Sequence, residues 1–300
     1  MFGTHVHKNR LSMAAAAVAE IQSIVDASTR GVRVCVQLFV CGPRNYTPTL
    51  TPFDVATLTS ITGRAPDAAG AAQIIIHGAY VDNPWSGNEA GIVNIRTELA
   101  TCREIGALGV IVHLAAGANN AATLERVFAA ISDIGHDIRE NTILYLEINA
   151  AKASHNTFET PHKLEALFNK ISTCTTRGLK IGLCIDTAHL FACGVALATA
   201  ADAKLWFEDL IARLAQFEAV FGYQTPIMIH LNDSATPCGS GRDEHAVVGR
   251  GNLWKARNDD IPLDGYKWII ATAKLANWPV IIERGPNEAQ HDLLLLGALF

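Results

Sequence analysis

Eight short apolar runs, rich in β-branched residues, recur along the chain, and segments of helical period lie between them. The runs are 2–6, 33–40, 73–77, 109–113, 143–147, 181–186, 226–230 and 279–283. The helical segments include 11–27, 87–105, 120–135, 161–172, 203–220 and 264–276. Near-continuous apolar strands are what a parallel sheet covered on both faces requires, because neither face of such a strand meets water. Eight strand–helix units predict an α/β fold closed into a (β/α)8 TIM barrel, rather than an open doubly wound sheet. The active site is then expected at the C-terminal face of the strands. No linker or low-complexity tract interrupts the pattern, so residues 1–300 read as a single domain. Two connections, 41–52 and 231–262, are longer than a plain barrel needs, and long loops on that face commonly read substrate. Gly239, Gly241, Gly249 and Gly251 in the second match neither a P-loop nor a dinucleotide fingerprint and are read as turn formers.

Nine metal-capable residues fall at or just beyond the ends of the predicted strands: His77, His113, Glu147, Asp186, His189, His230, Asp243, His245 and Glu283. Singly, each has a plain structural reading. A histidine closing an apolar strand is commonly a hydrogen-bonded core residue, and a carboxylate there can cap the next helix. The repetition changes this, because three strands close on His, two on Glu and one on Asp, all on one face of the barrel. Asp186 and His189 lie three apart where the chain turns into a helix and can point to one side. Asp243 and His245 alternate along an extended loop, so both can face one ion. Imidazole with carboxylate suits Zn²⁺, with Mn²⁺ or Fe²⁺ as other occupants. Nine ligands at three or four per ion support three metals if one carboxylate bridges, which implies a multinuclear metalloenzyme.

Composition bounds the alternatives. A charged fraction of 18% and a hydrophobic fraction of 49% allow a large buried core, yet no uncharged apolar run approaches the ~18 residues of a membrane span. The N-terminal stretch lacks the apolar centre of a signal peptide, and seven cysteines form no C-x-x-C pair. Reduced thiols in a cytoplasmic or nuclear protein, not a secreted one, are expected. The net charge of -5 does not advertise a polyanionic partner, although three divalent cations would offset it within the pocket.

The same residues sit in stretches that resemble the endonuclease IV family of AP (abasic-site) endonucleases. These are VQLFVCGPR (36–44), IIIHGAYVDNPW (74–85), VIVHLAAG (110–117), YLE (145–147), GLCIDTAHLFACG (182–194), IHLNDS (229–234), GSGRDEHAVVGRGN (239–252) and IIE (281–283). The resemblance implies a trinuclear zinc site, with Mn²⁺ as an alternative at one or more positions. His77 and His113 would hold the first ion, bridged by Glu147 to a second that Asp186, His230 and Glu283 complete. His189, Asp243 and His245 would hold the third, and Glu147 and Glu283 are the carboxylates expected at the catalytic centre. The chain departs from the family after Glu147, where EINAAKASHN replaces a glycine-containing run.

By the same resemblance the expected activity is hydrolysis of the phosphodiester 5′ to an abasic site in double-stranded DNA during base excision repair. The product carries a 3′-hydroxyl, with 3′-phosphodiesterase activity as an optional accompaniment. Phosphodiester hydrolysis suits several clustered ions, which activate water and neutralise the leaving oxygen. An abasic site offers no base edge, so recognition would fall to loop residues that wedge into the minor groove; Arg44, Tyr80 and Val81 occupy those positions. The alternative from another reaction class is a metal-dependent sugar isomerase or epimerase, which needs Glu, Asp, His and Glu ligands but fewer imidazoles. A Cys-poor, open-faced ligand set argues against a purely structural zinc protein. With no heptad or exposed apolar stripe, a monomer is expected.

Overall fold

In the computed structural model, which describes residues 1–8, 11–27, 33–45, 47–64, 71–80, 83–132, 142–176, 178–255 and 263–299, ten strands are present among the described residues. They are β1 (Phe2–His5), β2 (Val34–Leu38), β3 (Ala72–His77), β4 (Gly109–His113), β5 (Ile143–Glu147), β6 (Lys180–Asp186), β7 (Ile227–His230), β8 (Asp233–Ser234), β9 (His245–Ala246) and β10 (Val280–Ile282). Eight of them pair in parallel in chain order, and β10 closes the ring onto β1 through Phe2 opposite Val280. The expected (β/α)8 TIM barrel is therefore the observed fold. The remaining two, β8 and β9, form a small antiparallel ribbon inside the long connection after β7.

The intervening helices are α1 (Met13–Ala27), α2 (Pro52–Thr62), α3 (Glu89–Ile105), α4 (Ala121–Ser132), α5 (Pro161–Ile171), α6 (Thr187–Ala192), α7 (Ala200–Leu214), α8 (Glu218–Phe221), α9 (Asp264–Leu275) and α10 (Pro286–Gly297). Buried apolar residues of the longer helices pack on the outside of the strands, where Ile74, Ile76, Val110, Leu144 and Leu183 point outward into the larger core. Alternate residues of the same strands, among them Ile75, Ile111, Tyr145, Cys184, Met228 and Ile281, fill the barrel interior as a separate core. The two cores explain why the strands read as unbroken apolar runs.

Local signals refine the boundaries. The segment 203–220 divides into α7 and α8, with a 3₁₀ turn at Ala215–Phe217 between them. Helix α2 is not among the helical segments that periodicity gives, because its apolar residues make no clear stripe. Its start is nevertheless marked: Pro52 takes the first position, Asp54 N–H donates to Thr51 Oγ1 at 3.2 Å, and Thr51 N–H donates back to Asp54 Oδ2 at 3.0 Å. The other oxygen, Asp54 Oδ1, accepts from Ala14 N at 2.8 Å and so ties α2 to the first turn of α1.

Burial would raise the Asp54 carboxyl, but the Ala14 and Thr51 amides and the Thr51 hydroxyl hold it down at about 2. A carboxyl whose folded value lies below its unfolded ~3.9 stabilises the fold above that pH and loses the contribution as pH falls toward the folded value. Asp54→Asn is therefore expected to cost about 1–2 kcal/mol at pH 7. In urea titrations the gap between variant and wild type should narrow as pH drops from about 5 toward 3. A gap independent of pH would show that the charge at Asp54 contributes nothing.

Candidate metal centre

Strand alternation builds the site. Two residues beyond each interior core residue, the next inward side chain is polar: Gln37 after Cys35, His77 after Ile75, His113 after Ile111, Glu147 after Tyr145, Asp186 after Cys184, His230 after Met228 and Glu283 after Ile281. His5 takes the same place two residues after Gly3 on β1. All eight barrel strands thus deliver one polar group to a single layer at their C-terminal ends. Six of the eight stand among the nine residues singled out in the sequence. His5 and Gln37 do not, because Gln37 sits inside an apolar run rather than closing it and His5 has no apolar run to close; counting by twos along the strands finds both.

The nine residues lie in three adjoining groups. His77 Nε2 and His113 Nε2 approach Glu147 Oε2 at 3.2 and 2.9 Å. His230 Nδ1 lies 2.9 Å from Glu147 Oε1, 3.1 Å from Glu283 Oε2 and 3.9 Å from Asp186 Oδ2. His189 Nε2 and His245 Nε2 converge on Asp243 Oδ1 at 3.2 and 3.1 Å. Fully buried Glu147 therefore turns one oxygen toward each of the first two groups, which is the geometry of a bridge. Asp186 uses Oδ1 to cap α6, accepting from Ala188 N and His189 N at 2.6 and 3.0 Å. Its Oδ2 stays in the centre, also 3.6 Å from His245 Nε2. Capping and cluster membership are thus one arrangement, not alternatives.

The donor set fits metal ions. His77 Nδ1 lies 2.8 Å from Gly78 O, His189 Nδ1 2.8 Å from Ile148 O, and His245 Nδ1 3.2 Å from Glu283 O. A carbonyl only accepts, so each Nδ1 carries the proton and each Nε2 is turned toward the carboxylates, the arrangement typical of metal-ligating histidines. Two of those atoms, His189 Nε2 and His245 Nε2, are buried and, though close to Asp243 Oδ1, do not meet it in hydrogen-bonding geometry. Burial alone would depress these imidazoles, but the neighbouring anions raise His77, lift His245 to about 9, and push His189 and His230 well above the usual range. Against burial, the same contacts hold Glu147 and Glu283 well below the carboxylate range. The pocket demands positive charge, as protons or as cations. Beneath it the buried thiol of Cys184 comes within 4.8 Å of the ligand atoms of Glu147 and His230, and burial pushes its pKa up.

The third group depends on the long connection after β7. Asp233 is fully buried and accepts five backbone N–H groups: Ser234, Leu253 and Trp254 on Oδ1, and Gly249 and Gly251 on Oδ2, all at 2.8–3.3 Å. A Cβ at Gly251 would meet Asp233 Oδ1 at 2.4 Å, so close approach, and not only turning, requires this glycine. The turn reading does hold for Gly239, Gly241 and Gly249, all at positive φ. The clamp folds the connection back so that β9 pairs with β8 and Asp243 and His245 reach the centre. Beside it, Asn232 Nδ2 donates to Asp186 Oδ2 at 2.7 Å and Glu283 Oε2 at 3.3 Å, while its Oδ1 accepts from Glu283 N at 3.0 Å. Sequence reasoning assigns no role to Asn232 or Asp233, although the HLND stretch containing them stands out.

Of the three residues expected to contact DNA, Val81 lies outside the described residues. Tyr80 is 54% exposed at the rim, its ring 5.1 Å from those of both His77 and His113 and 5.5 Å from Phe39. Arg44 is exposed on the loop after β2, and a hydrogen bond from Tyr80 N to Pro43 O at 2.9 Å ties the two loops together. A cavity of about 230 Å³ opens between Tyr80, His7 and the third group. The divergent loop after Glu147 packs against the long connection: a Cβ at Gly241 would meet Lys152 N at 2.6 Å.

Residues 27–298 match the family described as xylose isomerase-like TIM barrel. A probable AP endonuclease of African swine fever virus is 32% identical over 267 residues, covering 88% of this chain and 83% of its own. The chain belongs to this family. The resemblance to endonuclease IV is borne out at that level. The solved structure of endonuclease IV from Thermus thermophilus superposes with a TM-score of 0.71 at 22% identity, covering 99% of this chain and 98% of its own. A D-tagatose 3-epimerase-like protein shares the fold less closely, with a TM-score of 0.57 at 18% identity and coverage of 99% and 96%.

Asp233→Ala is expected to free the connection while leaving the barrel folded. Limited proteolysis should then cut within 235–250, with far-UV circular dichroism unchanged and stability lower by roughly 2–3 kcal/mol. Wild-type resistance in the variant would show that Asp233 does not hold this loop.

Proposed function

We propose that the chain is a zinc-dependent AP endonuclease of base excision repair that hydrolyses the phosphodiester 5′ to an abasic site in duplex DNA and leaves a 3′-hydroxyl. The observation that carries this reading is the extent of the donor set. Glu147, Asp186, His230 and Glu283 alone would serve a sugar isomerase, the rival within the same fold. His77 and His113 on one side, with His189, Asp243 and His245 on the other, exceed what that chemistry uses and suit three ions, with Mn²⁺ an acceptable occupant.

When bound, such ions supply activation of water for attack on phosphorus and neutralisation of charge on the attacking and leaving oxygens. The chain's own residues do the rest. Glu147 holds the first two groups at a fixed separation through its two oxygens, and Glu283 closes the second group from the far side of the barrel. Asp243 and His245, on the clamped loop, bring the third group to the mouth where a leaving 3′-oxygen would emerge. Tyr80, set edge-on to His77 and Phe39 and tilted against His113, stands at the rim where a minor groove would meet it, with Arg44 alongside on the tethered loop. The excess of acidic residues over the whole chain is no obstacle, since the field that meets the phosphates is that of the loaded centre.

The direct test is a duplex carrying one tetrahydrofuran abasic analogue beside its undamaged twin. Cutting on the 5′ side of the analogue is expected, stopped by a strong chelator and restored by Zn²⁺ or Mn²⁺. No cutting by metal-loaded protein would favour sugar chemistry instead. Glu147→Gln should lower the rate by about a thousandfold or more, the scale of several kcal/mol of lost charge stabilisation, without unfolding the barrel. Arg44→Ala should weaken binding of the damaged duplex on the order of tenfold with unchanged metal content. Equal loss of metal and binding would sink the wedge assignment.

A further inference from the structure

We propose that Gln37 is a positioning residue for the second group: its amide holds His230 so that Nδ1 faces the ions, and directs one oxygen of Glu283 into the centre. Gln37 is fully buried. Its Oε1 lies 2.7 Å from His230 Nε2, while its Nε2 lies 2.6 Å from Glu283 Oε1 and 3.1 Å from His5 Nδ1. The Glu283 carboxylate decides the amide orientation. Reversed, the amide would set its oxygen against a carboxylate oxygen and its NH₂ against the ring nitrogen that now donates. As built, the carbonyl accepts the His230 Nε2–H, one amide hydrogen goes to Glu283 and the other to His5.

His230 differs in this from its neighbours. His77, His189 and His245 have their Nδ1–H fixed by backbone carbonyls and present Nε2 to the centre. His230 is turned the other way: Nδ1 faces Glu147 and Glu283, and Nε2 is held by a side chain. The same amide occupies Glu283 Oε1 and leaves Oε2 beside His230 Nδ1. Outer partners of this kind fix ring orientation and raise the affinity of the ligand for its metal. A backbone carbonyl cannot be removed by substitution, whereas a glutamine can, so the dependence is open to experiment.

The consequence for metal rests on the proposed metal centre, but the hydrogen bond does not. The test compares wild type with Gln37→Met, which keeps the volume and loses both hydrogen-bonding roles, and Gln37→Glu, which retains an acceptor for His230 and loses the donor to Glu283. Zinc release to a chelator should be about 10–100-fold faster in both variants. By NMR, the His230 Nε2–H should be protected from exchange in wild type and Gln37→Glu and unprotected in Gln37→Met. Wild-type zinc release from Gln37→Met, with that proton still protected, would overturn the proposal. If Gln37→Met does not fold, the nearly isosteric Gln37→Glu carries the test: wild-type zinc release from it overturns the Glu283 role. If wild type takes up no zinc, the metal reading fails, and protection of the His230 proton in the metal-free protein alone decides whether Gln37 positions the ring.

Discussion

Glu147 carries a carboxylate with no access to water, and among the described residues every side chain found within ion-pair distance of it is an imidazole. Removing an anion from water without compensation costs several kcal/mol, and neutral imidazoles offering lone pairs cannot repay it. Something positive must stand between these groups. Protons suffice in part, which is why His77, His189 and His230 are raised and Glu147 is lowered. Divalent ions suffice better, because one charge centre can meet several lone pairs at once. The rest of the centre follows from that requirement: carbonyls pin the outer nitrogens, Asn232 braces two carboxylates, and the Asp233 clamp brings Asp243 and His245 to His189 on α6.

The barrel positions these groups with little freedom. A strand shows its side chains alternately to the two cores, so one polar residue two steps beyond an interior residue must point inward, one layer higher. Repeated eight times around a closed sheet, this gives a ring of polar groups resting on an apolar floor. Fold and site are thus set by the same period of two.

That period also explains what can be read in advance. The barrel is legible because each strand is buried on both sides and therefore written in apolar residues. The His77, His113, Glu147, Asp186, His230 and Glu283 positions are legible because each ends its run abruptly. Gln37 is not, since Leu38, Phe39 and Val40 continue its run, and His5 is not, since Gly3 and Thr4 leave it no apolar run to end. Helix α2 escapes because its signal is a cap at Thr51 and Asp54, not a stripe. The Asp233 clamp escapes for a different reason. Its partners are backbone amides scattered from Ser234 to Trp254, and backbone partners leave almost no trace in sequence beyond the glycine that must make room.

Anomalous diffraction at the zinc edge from crystals of the loaded protein tests the central claim most directly. Three peaks per chain are predicted: one at His77, His113 and Glu147, one at Glu147, Asp186, His230 and Glu283, and one at His189, Asp243 and His245. A single peak confined to the Glu147, Asp186, His230 and Glu283 group would contradict the trinuclear account and point to the sugar-isomerase arrangement on the same barrel.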